Sequence, residues 1–117
     1  MTTMELLCLA NSRKHGNRCV AGLRMDGGGW VRPVSSLPDG SLQATHMGLD
    51  DGTIPQVLDV TRVPVRSPVP KPHQPEYWQL APGEWQFVAR PCPWETMVKL
   101  IRKALVREPV PQLALSR

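Results

Sequence analysis

Hydrophobic and polar positions alternate or cluster in short blocks along most of the chain. Leu6–Ala10 is a compact apolar run closed by Asn11-Ser12, and it predicts a first strand buried on both faces. A polar stretch, Ser12–Arg18, separates it from Cys19–Leu23, which predicts a second strand running on through Arg24 and Met25. Asp26-Gly27-Gly28-Gly29 then predicts a hairpin turn into a third strand, Trp30–Val34. Alternation puts Trp30, Arg32 and Val34 on one face of that strand and Val31 on the other. Pro33 marks it as an edge or bulged strand. Residues 35–53 read as loop, with turn signals at Pro38-Asp39-Gly40 and Asp50-Asp51-Gly52.

Val57–Val63 alternates again and predicts a strand that Pro64 ends or places at an edge. Pro68, Pro70, Pro72 and Pro75 predict an extended, polyproline-like passage. After a turn at Pro82-Gly83, Trp85–Ala89 predicts a further strand. One segment has helical spacing. It starts at Pro93, a suitable first-turn proline. Trp94, Met97, Val98, Ile101 and Leu105 are its expected buried stripe, Lys99, Arg102, Lys103 and Arg107 lie on the other side, and Pro109 and Pro111 stop it.

The 13 prolines oppose helix interiors and central strands, so they favour short strands joined by rigid turns. The predicted fold is mainly β: a small, OB-like, partly open β-barrel with one C-terminal α-helix. Spacing leaves a small barrel of another topology open. At 117 residues there is room for one domain, expected over 1–108 with the helix at 93–108 and a tail at 109–117. No apolar run is long enough to span a bilayer, and Glu5 interrupts the first apolar stretch, so no leader is expected. Three cysteines, Cys8, Cys19 and Cys92, without disulfide-rich spacing suit a reducing, cytoplasmic setting.

Charge changes the picture through its distribution. Residues 1–35 carry net +3, 36–60 carry −4, 61–80 carry +2 and 81–117 carry +3, for a total of +4. An acidic middle separates two basic ends, which suits a polyanionic partner without requiring one.

Two clusters carry candidate chemistry. Ser12, Arg13, Lys14, His15, Asn17 and Arg18 concentrate donors directly after a strand; Arg13 and Arg18 could grip phosphate with paired N–H groups and Lys14 would add a point charge. A solvated surface turn accounts for the same composition. Trp30 and Arg32 on one face could stack a base and neutralise its phosphate, although Trp30 also suits a core position. His73, Gln74, Glu76, Tyr77 and Trp78 form the second cluster, equally suited to recognition or to capping a strand. No CxxC or HxxxH spacing supports a metal, the glycine turn lacks the Lys-Ser/Thr of a phosphate loop, and no nucleophile set or carboxylate pair supports an enzyme. No cofactor is expected.

Taken in order, Cys8-Leu9-Ala10-Asn11-Ser12-Arg13-Lys14, Arg18-Cys19-Val20-Ala21-Gly22, Gly29-Trp30-Val31-Arg32-Pro33-Val34, Leu58-Asp59-Val60 and His73-Gln74-Pro75-Glu76 resemble the dual OB-containing domain family, prokaryotic domains of proteins that look like parts of antiviral conflict systems. The resemblance covers residues 6–78. It implies an OB-like fold that recognises nucleic acid or a nucleotide signal, with Ser12, Arg13, Lys14, Arg18, Arg32, His73 and Glu76 at the family's polar positions. The family's name implies two barrels, for which this chain is short.

The reading that follows is a nucleic-acid-binding module, an accessory subunit of a prokaryotic defence or nucleic-acid-processing complex. Arg13, Lys14, Arg18 and Arg32 would contact phosphates, and Trp30, Tyr77 or Trp78 would stack bases. A nucleotide or small-molecule sensor, with His73 and Glu76 reading the ligand edge, is the second reading. A protein-interaction adaptor or inhibitor subunit, using the four tryptophans, is the third. Expected partners are a nucleic acid or nucleotide and a larger protein complex, with a homodimer as a further option and no membrane.

Overall fold

A computed structural model describes residues 2–14, 16–48, 52–70 and 76–107. The elements run β1 (Thr2–Lys14), β2 (Asn17–Arg24), β3 (Trp30–Val34), a single 3-10 turn (Ala44–His46), β4 (Val60–Pro68), β5 (Tyr77–Leu80), β6 (Gln86–Ala89) and α1 (Trp94–Arg107). The strands pair in the order β1-β2-β3-β5-β4, and β4 pairs back onto β1, which closes a five-stranded barrel; β6 adds to β4. All pairings are antiparallel except β3 with β5. This ring is the OB-like barrel expected from the sequence, with its single C-terminal helix, and the strand order decides its topology.

β1 makes closure feasible because it serves two partners. Residues 2–7 pair with β4 and residues 6–14 pair with β2, with a register slip between Cys8 and Ala10. The slip lets the strand bend between its two neighbours. The close approach there requires Gly22: a Cβ at that position would stand 1.8 Å from the Leu7 carbonyl oxygen. Inside the ring, Leu6, Cys8, Val20, Val31, Leu42, Met47, Val63, Val65 and Trp85 are buried together. On the outside, Leu7, Val60, Cys92 and Met97 form a second cluster that seats the helix.

Four expectations change. The first strand does not end at Asn11-Ser12; it continues to Lys14, because β2 supplies partners all the way to the hairpin tip. Val57 and Leu58 form a turn rather than strand, with Leu58 at φ 77. Pro64 lies inside β4 instead of ending it. Its carbonyl accepts the Ala81 N–H, on the side where β5 has already stopped at Leu80, so its missing N–H costs no strand bond. The helix spans Trp94–Arg107, and its buried face is turned from the expected one. Met97 and Ala104 are buried with Leu100 and Ile101 beside them, whereas Trp94 is 73% and Leu105 56% exposed. Two apolar arcs overlap on this helix, and the barrel wall at Leu7, Leu9 and Met25 selects the one that carries Met97, Leu100 and Ile101. The expected tail, 109–117, and most of the proline passage, 71–75, lie outside the described residues.

Candidate functional site

The strand registers assign side chains to the two faces of the barrel wall. Val20 and Val31 point into the core, so Cys19 and Ala21 on β2, Trp30 and Arg32 on β3, and Tyr77 and Gln79 on β5 share the outer face. Ser12, paired with Cys19, extends this face onto β1. Arg32 stands at its centre and is only 3% exposed. Its guanidinium donates to the Tyr77 hydroxyl at 2.6 Å and to the Cys19 sulfur at 3.2 Å, and it stacks 4.8 Å from the Tyr77 ring centre. The Arg32 backbone N–H donates to the Glu76 carbonyl. Among the described residues no carboxylate forms an ion pair with Arg32. A buried cation held only by neutral partners keeps its field, which burial screens less than water would. Burial raises the Tyr77 phenol above its ordinary value, with the Arg32 charge working against that rise.

The second assembly is the ribbon formed where β1 and β2 run on past the barrel. Its tip is two residues, with Gly16 at φ 83 supplying the left-handed backbone that such a tight hairpin needs. Arg13 pairs directly with Arg18, and Lys14 with Asn17. Directly opposed side chains share a face and lie about 5 Å apart at Cβ, so this pair sets two like charges side by side. Arg13 is exposed and Arg18 half-buried. Neither meets a carboxylate among the described residues. Arg18 is fixed from behind by a two-way backbone exchange with Leu42, and Asn17 by a bond to the Ser41 hydroxyl.

A family model described as the dual OB-containing domain matches residues 4–106, from β1 to the last turn of α1. The chain belongs to the dual OB-containing domain family. No curated protein and no solved structure matches it. In this dual-OB chain the described residues build one barrel, and the family match takes in that whole barrel with its helix.

The structure thus brings Ser12, Trp30, Arg32 and Tyr77 onto one face, with Glu76 contributing its carbonyl. It places Arg13 and Arg18 on the other face of the ribbon. Trp78 points inward: it packs against the core cluster while Arg24, held by Asp26 at 2.7 Å, lies 5.4 Å over its ring. Lys14 ends β1; its side chain lies outside the described residues, as does all of His73. Positive charge also stands at the far end of the outer face. The Lys103 amine from α1 lies over Gly27 in the β2–β3 turn, close enough that a Cβ at Gly27 would meet it at 2.6 Å.

Several residues in dual-OB chemistry escaped the sequence. Cys19 reads there as an ordinary buried thiol, and only the register reveals it as an Arg32 partner. Asp59, 2% exposed, binds Arg90 through both carboxylate oxygens, at 3.1 and 2.9 Å, and accepts the Gln56 N–H at 2.8 Å. Its backbone carbonyl accepts the Cys8 N–H at the β1 bend. The Leu58-Asp59-Val60 motif is therefore a brace for the barrel seam rather than a ligand contact. Cys8 beside it is pushed up to about 12, chiefly by burial, so it stays a neutral thiol.

Proposed function

We propose that the chain is a nucleic-acid-binding module that takes a single strand on the Arg13–Arg18 face of the ribbon and around its edge onto the outer face of β2–β3. The observation that carries this reading is the directly opposed Arg13–Arg18 couple, which meets no carboxylate among the described residues. Like charges placed directly opposite on a ribbon repel and cost stability unless an anion sits between them. A phosphodiester backbone supplies that anion repeatedly. OB barrels receive oligonucleotides on the strand 2–3 face and on the loops after strands 1 and 4. The ribbon is the first of those connections. The second, between β4 and β5, is the one that holds Lys71 and His73.

The division of labour follows from burial. Arg13 and Arg18 contact phosphates directly. Arg32, too buried for contact, adds positive potential beneath the face. Trp30, half-buried at the entrance to β3, offers a ring on which a base can stack. Lys103 continues the positive track beyond the β2–β3 turn. Tyr77 and Trp78 act in the wall, as partners of Arg32 and of the core. The same electrostatics fit a cytoplasmic accessory subunit of a prokaryotic defence or nucleic-acid-processing assembly, and they involve no catalytic step.

Fluorescence-anisotropy titration with short single-stranded DNA, single-stranded RNA and duplex DNA at two salt concentrations tests the proposal. Binding to a single strand that weakens steeply with salt is the expected result. Absence of binding at low salt, or binding indifferent to salt, overturns it.

A further inference from the structure

A cleft of about 500 Å³ opens at the Ser35 end of the β3–β5 wall, away from Trp30. Its size falls within the range of small-molecule sites. Its lining mixes two chemistries: polar side chains, among them Arg66, His46 and Thr45, and the apolar stretch Leu80, Ala81 and Pro82. Among the described residues no carboxylate lines it.

Arg66 is aimed by an irregularity in the sheet. Val65 pairs with Leu80 but Ser67 pairs with Gln79, so two steps along β4 match one step along β5 and Arg66 is the extra residue. Such a bulge turns a side chain out of the ladder's alternation. Among the described residues the Arg66 guanidinium has no ion-pair partner. His46 is oriented from below. Its Nδ1 accepts the Gln43 N–H at 2.8 Å, so in the neutral ring the proton is on Nε2, the free edge. A forked cation, an imidazole N–H and a hydroxyl together match the three oxygens of a phosphate monoester. The apolar wall matches a flat ring attached to it.

We propose that this cleft binds a phosphomonoester of nucleotide size, its phosphate on Arg66, His46 and Thr45 and its base against Leu80–Pro82. Neither Arg13 nor Arg18 lines the cleft, and the proposal does not depend on the strand-binding reading. Its ligand is either a free mononucleotide or the phosphorylated end of a strand.

Thermal-shift and calorimetric titrations with adenosine and uridine monophosphates, the unphosphorylated nucleosides and inorganic phosphate test it. The monophosphates should raise Tm, the nucleosides should not, and inorganic phosphate should compete. Arg66→Gln should weaken monophosphate binding by about tenfold or more, with Arg66→Lys intermediate. Arg66 is exposed and outside the core, so the ligand-free Tm of both variants should match the parent. The Arg13→Ala/Arg18→Ala protein should bind monophosphate normally even where it has lost strand binding. A 5′-phosphorylated dinucleotide that displaces the monophosphate assigns the site to strand ends; one that does not assigns it to free nucleotide, and both uphold the phosphomonoester. No response to any phosphate-bearing probe at millimolar concentration, or unchanged affinity in Arg66→Gln, overturns the proposal.

Discussion

Arg32 shows how much a single side chain commits the fold to a positive face. Burying a guanidinium without a carboxylate costs several kcal/mol before its neutral hydrogen bonds offset part of that. Replacing such a group with an apolar side chain of similar length is typically neutral or stabilising. Arg32→Met is therefore expected to leave unfolding free energy unchanged or raised by about 1 kcal/mol, while weakening strand binding severalfold; urea unfolding and anisotropy on one preparation check both. A large loss of stability instead would make Arg32 a structural pin for Cys19 and Tyr77. The buried thiols give a second residue-scale expectation. The folded pKa of Cys8 lies at about 12 against 9.0 for a free thiol, and Cys92 and Tyr77 are shifted in the same direction. Between those values the unfolded chain has released the Cys8 proton and the folded chain has not, so stability falls as pH rises from 9.0 towards about 12. Unfolding measured across the alkaline range should show this fall, and Cys8→Ala should flatten it.

At the scale of elements, β1 decides whether the barrel closes. Gly22→Ala would drive a methyl group into the Leu7 carbonyl, against backbone that cannot yield without losing the β1–β2 register. A loss of more than about 3 kcal/mol, or failure to fold, is expected by circular dichroism and denaturant titration. The brace at the seam is comparable: Asp59→Ala removes the carboxylate that binds both the Arg90 guanidinium and the Gln56 N–H and should cost about 2–3 kcal/mol. Much of this scale was legible in the sequence. The apolar runs around Leu7, Val20 and Val31, the glycine turn at 26–29 and the Trp85 strand are local signals, and local signals survive folding. What escaped was set by partners distant in sequence. Ser12–Lys14 looked like loop because β2, which makes them strand, cannot be seen from their own composition. Tyr77–Leu80 lacked a strand pattern because its pairing with β3 arises only once the ring closes. The helix stripe at Trp94 and Leu105 was a sound periodicity whose phase the barrel wall changed. The two polar clusters could be found from composition, but their division could not. Tyr77 and Trp78 adjoin each other in sequence yet point to opposite sides of β5, one towards Arg32 and the other into the core.

Across the whole molecule, charge is arranged along a path. The ribbon arginines lie at one end of the β2–β3 wall, on the opposite face of the ribbon, with Arg32 beneath the middle of the wall and Lys103 beyond its other end, while the braced carboxylates Asp59 and Glu5 are spent on Arg90 and Arg62. Such a path predicts association that is steered electrostatically and falls with ionic strength. No helix among the described residues is long and apolar enough to cross a membrane. The central claim rests on the ribbon pair. Its most direct test is the salt dependence of single-stranded DNA binding for the parent chain and for Arg13→Ala/Arg18→Ala. Removing two phosphate contacts should reduce the slope of log affinity against log salt by about 1.4, with lower affinity at low salt and a ligand-free Tm that rises as the repulsion is relieved. A double variant that keeps both the slope and the affinity of the parent would contradict the account.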